Sequence, residues 1–276
     1  MWPILGTLHT TTQRDKTNNQ LNLKNKNKFN FNIDKWTYQR KKKIWTRPFN
    51  IVTPSKWLED CVKNSEFMKN WHVQTIGHPV DTNLWKPISK FEAKKKLGIN
   101  PNYKIILFGA DGGTKSYNKG FDMLSMVINS IDLKDIQVKL CIFGDEKEKL
   151  KLSIPIHNFG KIEEDVKLSL IYSAADICVV PSRVESFCQV AAEAQSCGTP
   201  VLSFSVGGLI DIIKHEVTGF LVQPFDLDEF AKYLKDYLNG KYNNTEFNKN
   251  SRKRVCELFS KTTISKKYIN LYKSLK

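Results

Sequence analysis

Several features that would assign this chain to a simple class are missing. No apolar run approaches the ~18 residues of a helical membrane span, so no membrane-spanning helix is expected. The opening Met1-Trp2-Pro3-Ile4-Leu5 has no basic n-region and is too short for a secretory leader. The cysteines stand at 61, 141, 178, 188, 197 and 256, and no two have CxxC spacing. A zinc ribbon or disulfide scaffold is therefore not expected, and buried thiols in a reducing compartment are. Histidines 9, 72, 78, 157 and 215 show no ligand spacing, and all but His9 read as surface or loop residues. Acidic residues are outnumbered, 28 against 43 Lys and Arg, which gives a net charge of +15.

What is present is enough apolar material for a core: 41% hydrophobic and 11% aromatic residues, which excludes disorder throughout. A chain of 276 residues makes one large or two modest domains. The charge is uneven. Residues 1–104 hold 20 basic and 7 acidic residues, and residues 105–276 hold 23 and 21, so the first part carries +13 and the rest +2. A basic half attracts an anionic membrane or polymer, or it is a solvated Lys/Asn-rich surface. Nucleic acid is not the expected partner, because the basic residues sit in a loop and a Lys run rather than interleaved with aromatics in a binding motif.

The segment TNNQLNLKNKNKFNFN at 17–32 has neither helical nor strand periodicity and reads as a loop or disordered tract. A basic cluster follows at Arg40-Lys41-Lys42-Lys43. Short strands are expected at 50–54 and 72–76, with Ser55 capping a helix between them. Residues 77–90, with Gly77, Pro79 and Pro87, read as a linker. Beyond it, apolar runs at 105–108, 138–143, 156–159, 177–180, 201–204 and 220–222 alternate with helix candidates near 120–131, 164–173, 187–197, 208–214 and 228–239. Continuous apolar strands are buried on both faces, and their alternation with helices implies an α/β fold with a parallel, doubly wound sheet. Such sheets bind ligands at the carboxyl ends of their strands.

Chemistry concentrates in PSRVESFCQVAAEAQSCGTPV, residues 181–201, which leaves a buried strand, turns, and runs a helix ending at Gly198. Glu185 is placed at the helix start and Glu193 two turns inside it, roughly 12 Å apart along the axis. That is too far for a glycoside-hydrolase carboxylate pair, and it suits two contacts along one elongated ligand. A helix N-terminus nearby suits a diphosphate. A second phosphate element is the Gly-rich FGADGGTKSYNKGFD at 108–122, with Lys115 and Lys119 as candidate cations. Asp226-Leu227-Asp228 imitates a metal-binding DxD, but Asp226 followed by Glu229 reads as a capping box.

Taken together, Glu185-x7-Glu193, Ala194-x-x-x-Gly198-Thr199-Pro200-Val201, Tyr172-Ser173-Ala174-Ala175-Asp176, Val180-Pro181-Ser182, Val206-Gly207-Gly208-Leu209-Ile210-Asp211 and Thr218-Gly219-Phe220-Leu221-Val222 resemble glycosyltransferase family 4. These are retaining enzymes of GT-B architecture, and the resemblance is strongest to those that build bacterial exopolysaccharides such as colanic acid. It covers about 45–240. It implies one complete Rossmann-like domain at 91–240, an incomplete acceptor-side Rossmann-like domain at 1–90, and C-terminal helices at 241–276 that pack back toward the N-terminal part. It also implies further strands and an acceptor loop ahead of the position of Met1, making the chain N-terminally truncated and dependent on a missing half or partner chain.

The resemblance assigns roles. Glu185 and Lys119 are the catalytic candidates. Glu193 would bond the ribose, and Gly109, Lys115 and the backbone of Ser186, Phe187 and Cys188 would face the donor sugar and diphosphate. Cys188 stands where the family commonly has Gly, so a side chain intrudes and a positive φ would be expensive there. His9 would face the cleft. The implied activity is sugar transfer from a UDP- or GDP-sugar to a saccharide or lipid-linked acceptor, without metal or other cofactor, in the cytoplasm or at the inner membrane face. The alternative is a nucleotide-sugar-binding half without transfer activity.

Overall fold

The computed structural model describes residues 32–109, 112–144 and 150–275. The Asn/Lys-rich tract up to 31, His9, and residues 110–111 of the Gly-rich loop lie outside them. Contacts divide the chain into two compact units, residues 1–75 and 76–276. This division comes ahead of the 77–90 linker, which belongs with the second unit.

In the first unit, helix α1 (Ile33–Ile44) carries the basic cluster in its last turn and is capped by Asn32 Oδ1, which accepts from Lys35 N at 2.9 Å. Strands β1 (Ile51–Thr53) and β2 (Val73–Thr75) pair in parallel, joined through α2 (Lys56–Lys63). Ser55 caps α2 with its side chain, as expected. Glu59 of α2 is buried and accepts from Lys63 Nζ at 2.6 Å, Lys56 Nζ at 2.9 Å and the Thr75 hydroxyl. A small core forms around Val62, Met68 and Trp71.

The second unit is built on six parallel strands: β3 (Lys104–Gly109), β4 (Val138–Phe143), β5 (Ile156–Asn158), β6 (Ile177–Val180), β7 (Val201–Phe204) and β8 (Gly219–Val222). Their spatial order is β5-β4-β3-β6-β7-β8, so the direction of winding reverses between β3 and β6. Crevices at such a switch point, at the carboxyl ends of the strands, are where open α/β sheets bind ligands. Alternate residues along each strand enter different cores. Ile105, Leu107, Cys178 and Val180 pack on one face, and Ile106, Phe108, Ile177 and Val179 on the other. This double burial is why the strands read as unbroken apolar runs.

Helix α3 (Lys90–Lys96) precedes the sheet, α4 (Phe121–Ser130), α5 (Asp165–Ala174), α6 (Gln189–Ser196) and α7 (Leu209–Ile212) lie between its strands, and α8 (Leu227–Leu238) follows the last strand. Asp226 caps α8, its Oδ1 accepting from Glu229 N at 2.9 Å, while Glu229 Oε2 accepts from Gln223 N at 3.2 Å. The DxD look-alike is therefore a helix cap. The C-terminal helices α9 (Asn244–Phe259) and α10 (Lys261–Ser274) return to the start of this unit. Val80 N donates to Phe259 O at 2.8 Å, and Arg252 donates to the carbonyls of Thr82 at 2.7 Å and Trp85 at 2.5 Å. All six cysteines are free thiols, four of them buried. Among the described residues no helix is long and apolar enough to cross a membrane.

Candidate active site at the sheet switch point

A small recess of about 10 Å³ lies where β3 and β6 end, lined by Gly109, Lys119, Ser182, Glu185 and Cys188 together with Val179, Val180 and Val190. Four of the sequence-assigned residues therefore meet in one place. Lys119 Nζ lies 2.7 Å from Glu185 Oε1, and Ser182 Oγ donates to the same oxygen at 2.9 Å. Glu185 is 8% exposed, so this cation and hydroxyl are what make the burial of its carboxylate tolerable.

Glu185 does not sit at the helix start as the sequence suggests. Helix α6 begins at Gln189, and Glu185 lies four positions earlier in an irregular turn. The reason is local. Cys188 is held at φ +83°, a left-handed conformation that breaks the helical path. The axial separation inferred from a continuous helix does not apply to this pair. The turn itself is held from beneath by the Gly207-Gly208 pair. Gly208 N donates to Glu185 O at 2.9 Å, and Gly207, at φ +54°, approaches so closely that a Cβ would lie 1.8 Å from that oxygen. Trans peptides hold C=O and N–H on opposite sides, so the Ser186 N–H is turned away from the glycine pair. The Phe187 side chain is buried between His78 and Phe259, with ring centroids at 5.0 and 5.3 Å, which leaves its backbone as the part available to a ligand.

The strain expected of a side chain at position 188 is present, since a non-glycine residue in this region costs about 1–2 kcal/mol. Burial pushes the Cys188 thiol well above its usual range, so it remains a thiol.

Glu193 lies one turn further along α6 than Val190, and it does not line the same cleft surface. Tyr172 Oη donates to Glu193 Oε2 at 3.0 Å. Burial raises the Glu193 carboxyl above its ordinary value, and the Tyr172 bond opposes that rise. Tyr172 also packs edge-on against Phe143 from the neighbouring strand, at 5.6 Å.

Lys119 is carried by a tight turn between two 3-10 segments (Gly113–Lys115 and Tyr117–Lys119) and α4. Gly120 closes it at φ +71°, where a Cβ would meet Pro181 O at 1.9 Å. Lys115 is exposed in the first segment and does not line the cleft.

The residue that sequence reasoning missed is Arg183. Its guanidinium forms a two-pronged pair with Asp122, at 2.9 and 2.6 Å, and donates to Tyr117 O at 2.5 Å. It lies 3.9 Å from the Tyr117 ring centroid, and its backbone N–H donates to Asn118 O at 2.8 Å. Arg183 thus ties the Lys119 turn to the Glu185 turn. No local signal marks this pairing, because its two sides are 61 residues apart in sequence. The Asp122 carboxyl is held below its usual value, chiefly by that bond.

Comparison with known proteins places the second unit in a family. Residues 89–254 match the family described as Glycosyl transferases group 1. An uncharacterized glycosyltransferase of Methanocaldococcus jannaschii is 34% identical over 242 residues, covering 81% of this chain and 59% of that protein. Sucrose-phosphate synthase of Thermosynechococcus elongatus superposes with a TM-score of 0.76 at 26% identity, covering 88% of this chain and 62% of that one. Anabaena HepE, solved with UDP and glucose, superposes with a TM-score of 0.69 at 18% identity, over 87% of this chain and 66% of that one. The chain spans 59% of the length of the archaeal relative and 62% of the synthase.

Proposed function

This chain belongs to the group 1 glycosyl transferases, and from that premise we propose that it transfers a sugar from a UDP- or GDP-sugar to a saccharide or lipid-linked acceptor. The observation that carries the proposal is the Lys119–Glu185–Ser182 cluster at the switch point, beside the start of α6. HepE, which shares the fold, was solved with UDP and glucose in place, and this supports a nucleotide-sugar donor.

In this reading the unliganded site keeps Lys119 on Glu185. An arriving diphosphate competes for the ammonium, and Glu185 is released to accept hydrogen bonds from the sugar hydroxyls. As the bond from the sugar to the diphosphate breaks, negative charge grows on the phosphate oxygen that leaves. Lys119 and the N–H groups ahead of α6 are fixed in advance to stabilise that charge. The departing phosphate oxygen can take the acceptor's proton, and the acceptor oxygen bonds on the face that the diphosphate has left, retaining the anomeric configuration. Glu193 receives the ribose hydroxyls. No step in this scheme calls for a metal. The finer placement in family 4, near enzymes of exopolysaccharide assembly, rests on the motif series from Tyr172 to Val222. The +13 of residues 1–104 supports attachment to an anionic membrane surface on the cytoplasmic side.

Calorimetric titration of the chain with UDP-, GDP- and ADP-sugars tests the donor half. Saturable binding that is lost in Lys119→Ala is the expected result, and no binding of any nucleotide overturns it. Multiple-turnover transfer to a mixed oligosaccharide pool tests the rest. Donor binding without transfer would favour the second reading, a nucleotide-sugar-binding half that needs a partner chain.

A further inference from the structure

A second concavity lies at the opposite end of the sheet's strands in the second unit. Its volume is about 400 Å³, within the range of small-ligand sites. It is bounded by segments 87–90, 197–199 and 248–253. Ser173 and Thr199, which line it, precede β6 and β7, so the cavity faces the amino ends of the strands. The cleft of Lys119 and Glu185 faces their carboxyl ends.

The lining is cationic to an extent that the fold does not require. Lys249, Arg252 and Lys253 project from one side of α9, at the three- and four-residue spacings that share a helix face. Lys90 approaches from α3. The neutralising carboxylates are few. Lys90 is 3.3 Å from Asp176, which also serves Lys94 at 3.1 Å. The Arg252 guanidinium donates to neutral oxygens only, the Ser196 carbonyl and hydroxyl included. Lys253 reaches Glu257 at 4.0 Å, with both side chains largely exposed. Among the described residues no carboxylate pairs with Lys249. Like charges four apart on a helix repel, so this face costs stability while the cavity is empty and recovers it when an anion enters. Pro87 and Ile88 give the cavity an apolar wall. A half-open hollow of this size admits a small molecule.

We propose that this cavity binds a small phosphorylated molecule of the sugar-phosphate class. Its phosphate lies between Lys249, Lys253 and Lys90, and its body lies against Pro87 and Ile88. The site is separate from the donor cleft and stands whether or not the chain transfers sugar. The two are joined through α6, whose first turn reaches the cleft at Val190 and whose end reaches the cavity at Cys197 and Gly198.

The test is calorimetry on the full chain with glucose 6-phosphate and with inorganic phosphate, at ionic strength matched with chloride. Three proteins are compared: the unmodified chain, Lys249→Ala/Lys253→Ala, and Lys119→Ala. The expected result is saturable one-site binding of glucose 6-phosphate, about tenfold or more weaker in the double variant and unchanged in Lys119→Ala. Thermal denaturation of the double variant should show it folded and at least as stable as the parent, since a repulsive pair has been removed. Three results overturn the proposal: no saturable binding of either probe, equal affinity in the double variant, or loss of binding in Lys119→Ala, which would put the anion in the donor cleft.

Discussion

Replacing Arg183 with alanine should loosen the turn that carries Lys119 while leaving the sheet intact. Three interactions are removed at once. The pair with Asp122 is two-pronged, but the Asp122 side chain is 50% exposed, so the pair contributes at most ~1 kcal/mol. The bond from the guanidinium to Tyr117 O is charge-assisted and partly screened, and it adds about 1 kcal/mol. The cation over the Tyr117 ring adds ~0.5 kcal/mol. Together these give roughly 2 kcal/mol, or about a thirtyfold change in a local opening equilibrium. Amide exchange at residues 116–120 should accelerate by about that factor, and nucleotide affinity should fall because Lys119 is no longer positioned. Arg183→Lys keeps the charge but loses the fork, so it should recover less than half of the effect.

The Asp122 carboxyl is depressed mainly by its bond to Arg183. Its stabilising contribution is therefore present above the ordinary carboxylate range and is lost as pH falls through the folded value. Protection of 116–120 should weaken below about pH 4 in the parent and stay flat in Arg183→Ala. If exchange and nucleotide affinity in Arg183→Ala match the parent at neutral pH, the guanidinium is a surface ornament and the positioning argument is wrong.

Three further outcomes are expected. Glu193→Ala should weaken nucleotide binding by roughly 1.5–3 kcal/mol, the range for a bond to a charged group. Because burial raises the Glu193 carboxyl, affinity in the parent should climb as pH rises through that raised value, and a pH-independent Kd would remove the carboxylate from ribose recognition. Gly207→Ala should cost about 3 kcal/mol or more and abolish nucleotide binding, since its Cβ would be driven into Glu185 O; a variant with parental Tm would show that the turn has slack. In the first unit, the Lys63 and Thr75 bonds, with Lys56, hold Glu59 down to about 2. Its contribution should vanish as pH drops from the ordinary 4.5 toward that value, and amide protection of residues 56–75 should lose this step in Glu59→Gln.

The sheet was legible because each of its strands is buried on both faces, and an unbroken apolar run such as Val138–Phe143 carries that information locally. The caps at Ser55 and Asp226 were legible for a similar reason, since donor and acceptor are three residues apart. Helix α3 was missed because it is only seven residues long and begins where the proline- and glycine-marked linker ends. The Glu185 turn was misplaced onto a helix because only φ at Cys188 separates the two, and nothing in the residue type announces a positive φ at cysteine. Gly207-Gly208 could be quoted as a motif, but the reason for both glycines is a contact with a carbonyl some twenty residues earlier. Arg183, reaching 61 residues back, left no trace that periodicity or spacing detects.

These misses share a cause that bears on how the site works. The cleft is assembled from turns rather than from regular elements, and the turns are fixed by one another. Gly120 lies under Pro181 O, Gly207 lies under Glu185 O, and Arg183 spans both. Two of these supports are backbone contacts that any added Cβ would prevent, so they cannot relax by rotating a side chain. Lys119 and Glu185 are thereby brought within 2.7 Å before any ligand arrives. A preset cation spares the site part of the reorganisation that charge separation otherwise demands. The one position that runs against this economy is Cys188, a strained residue with its side chain in the cleft. Glycine there would relieve the φ +83° conformation and open space beside Lys119, yet it would also free the one joint that sets the Glu185 turn against the first turn of α6. Cysteine trades local strain for a stiffer joint and a narrower cleft, and Cys188→Gly should loosen the Glu185 turn, read as faster amide exchange at residues 185–190.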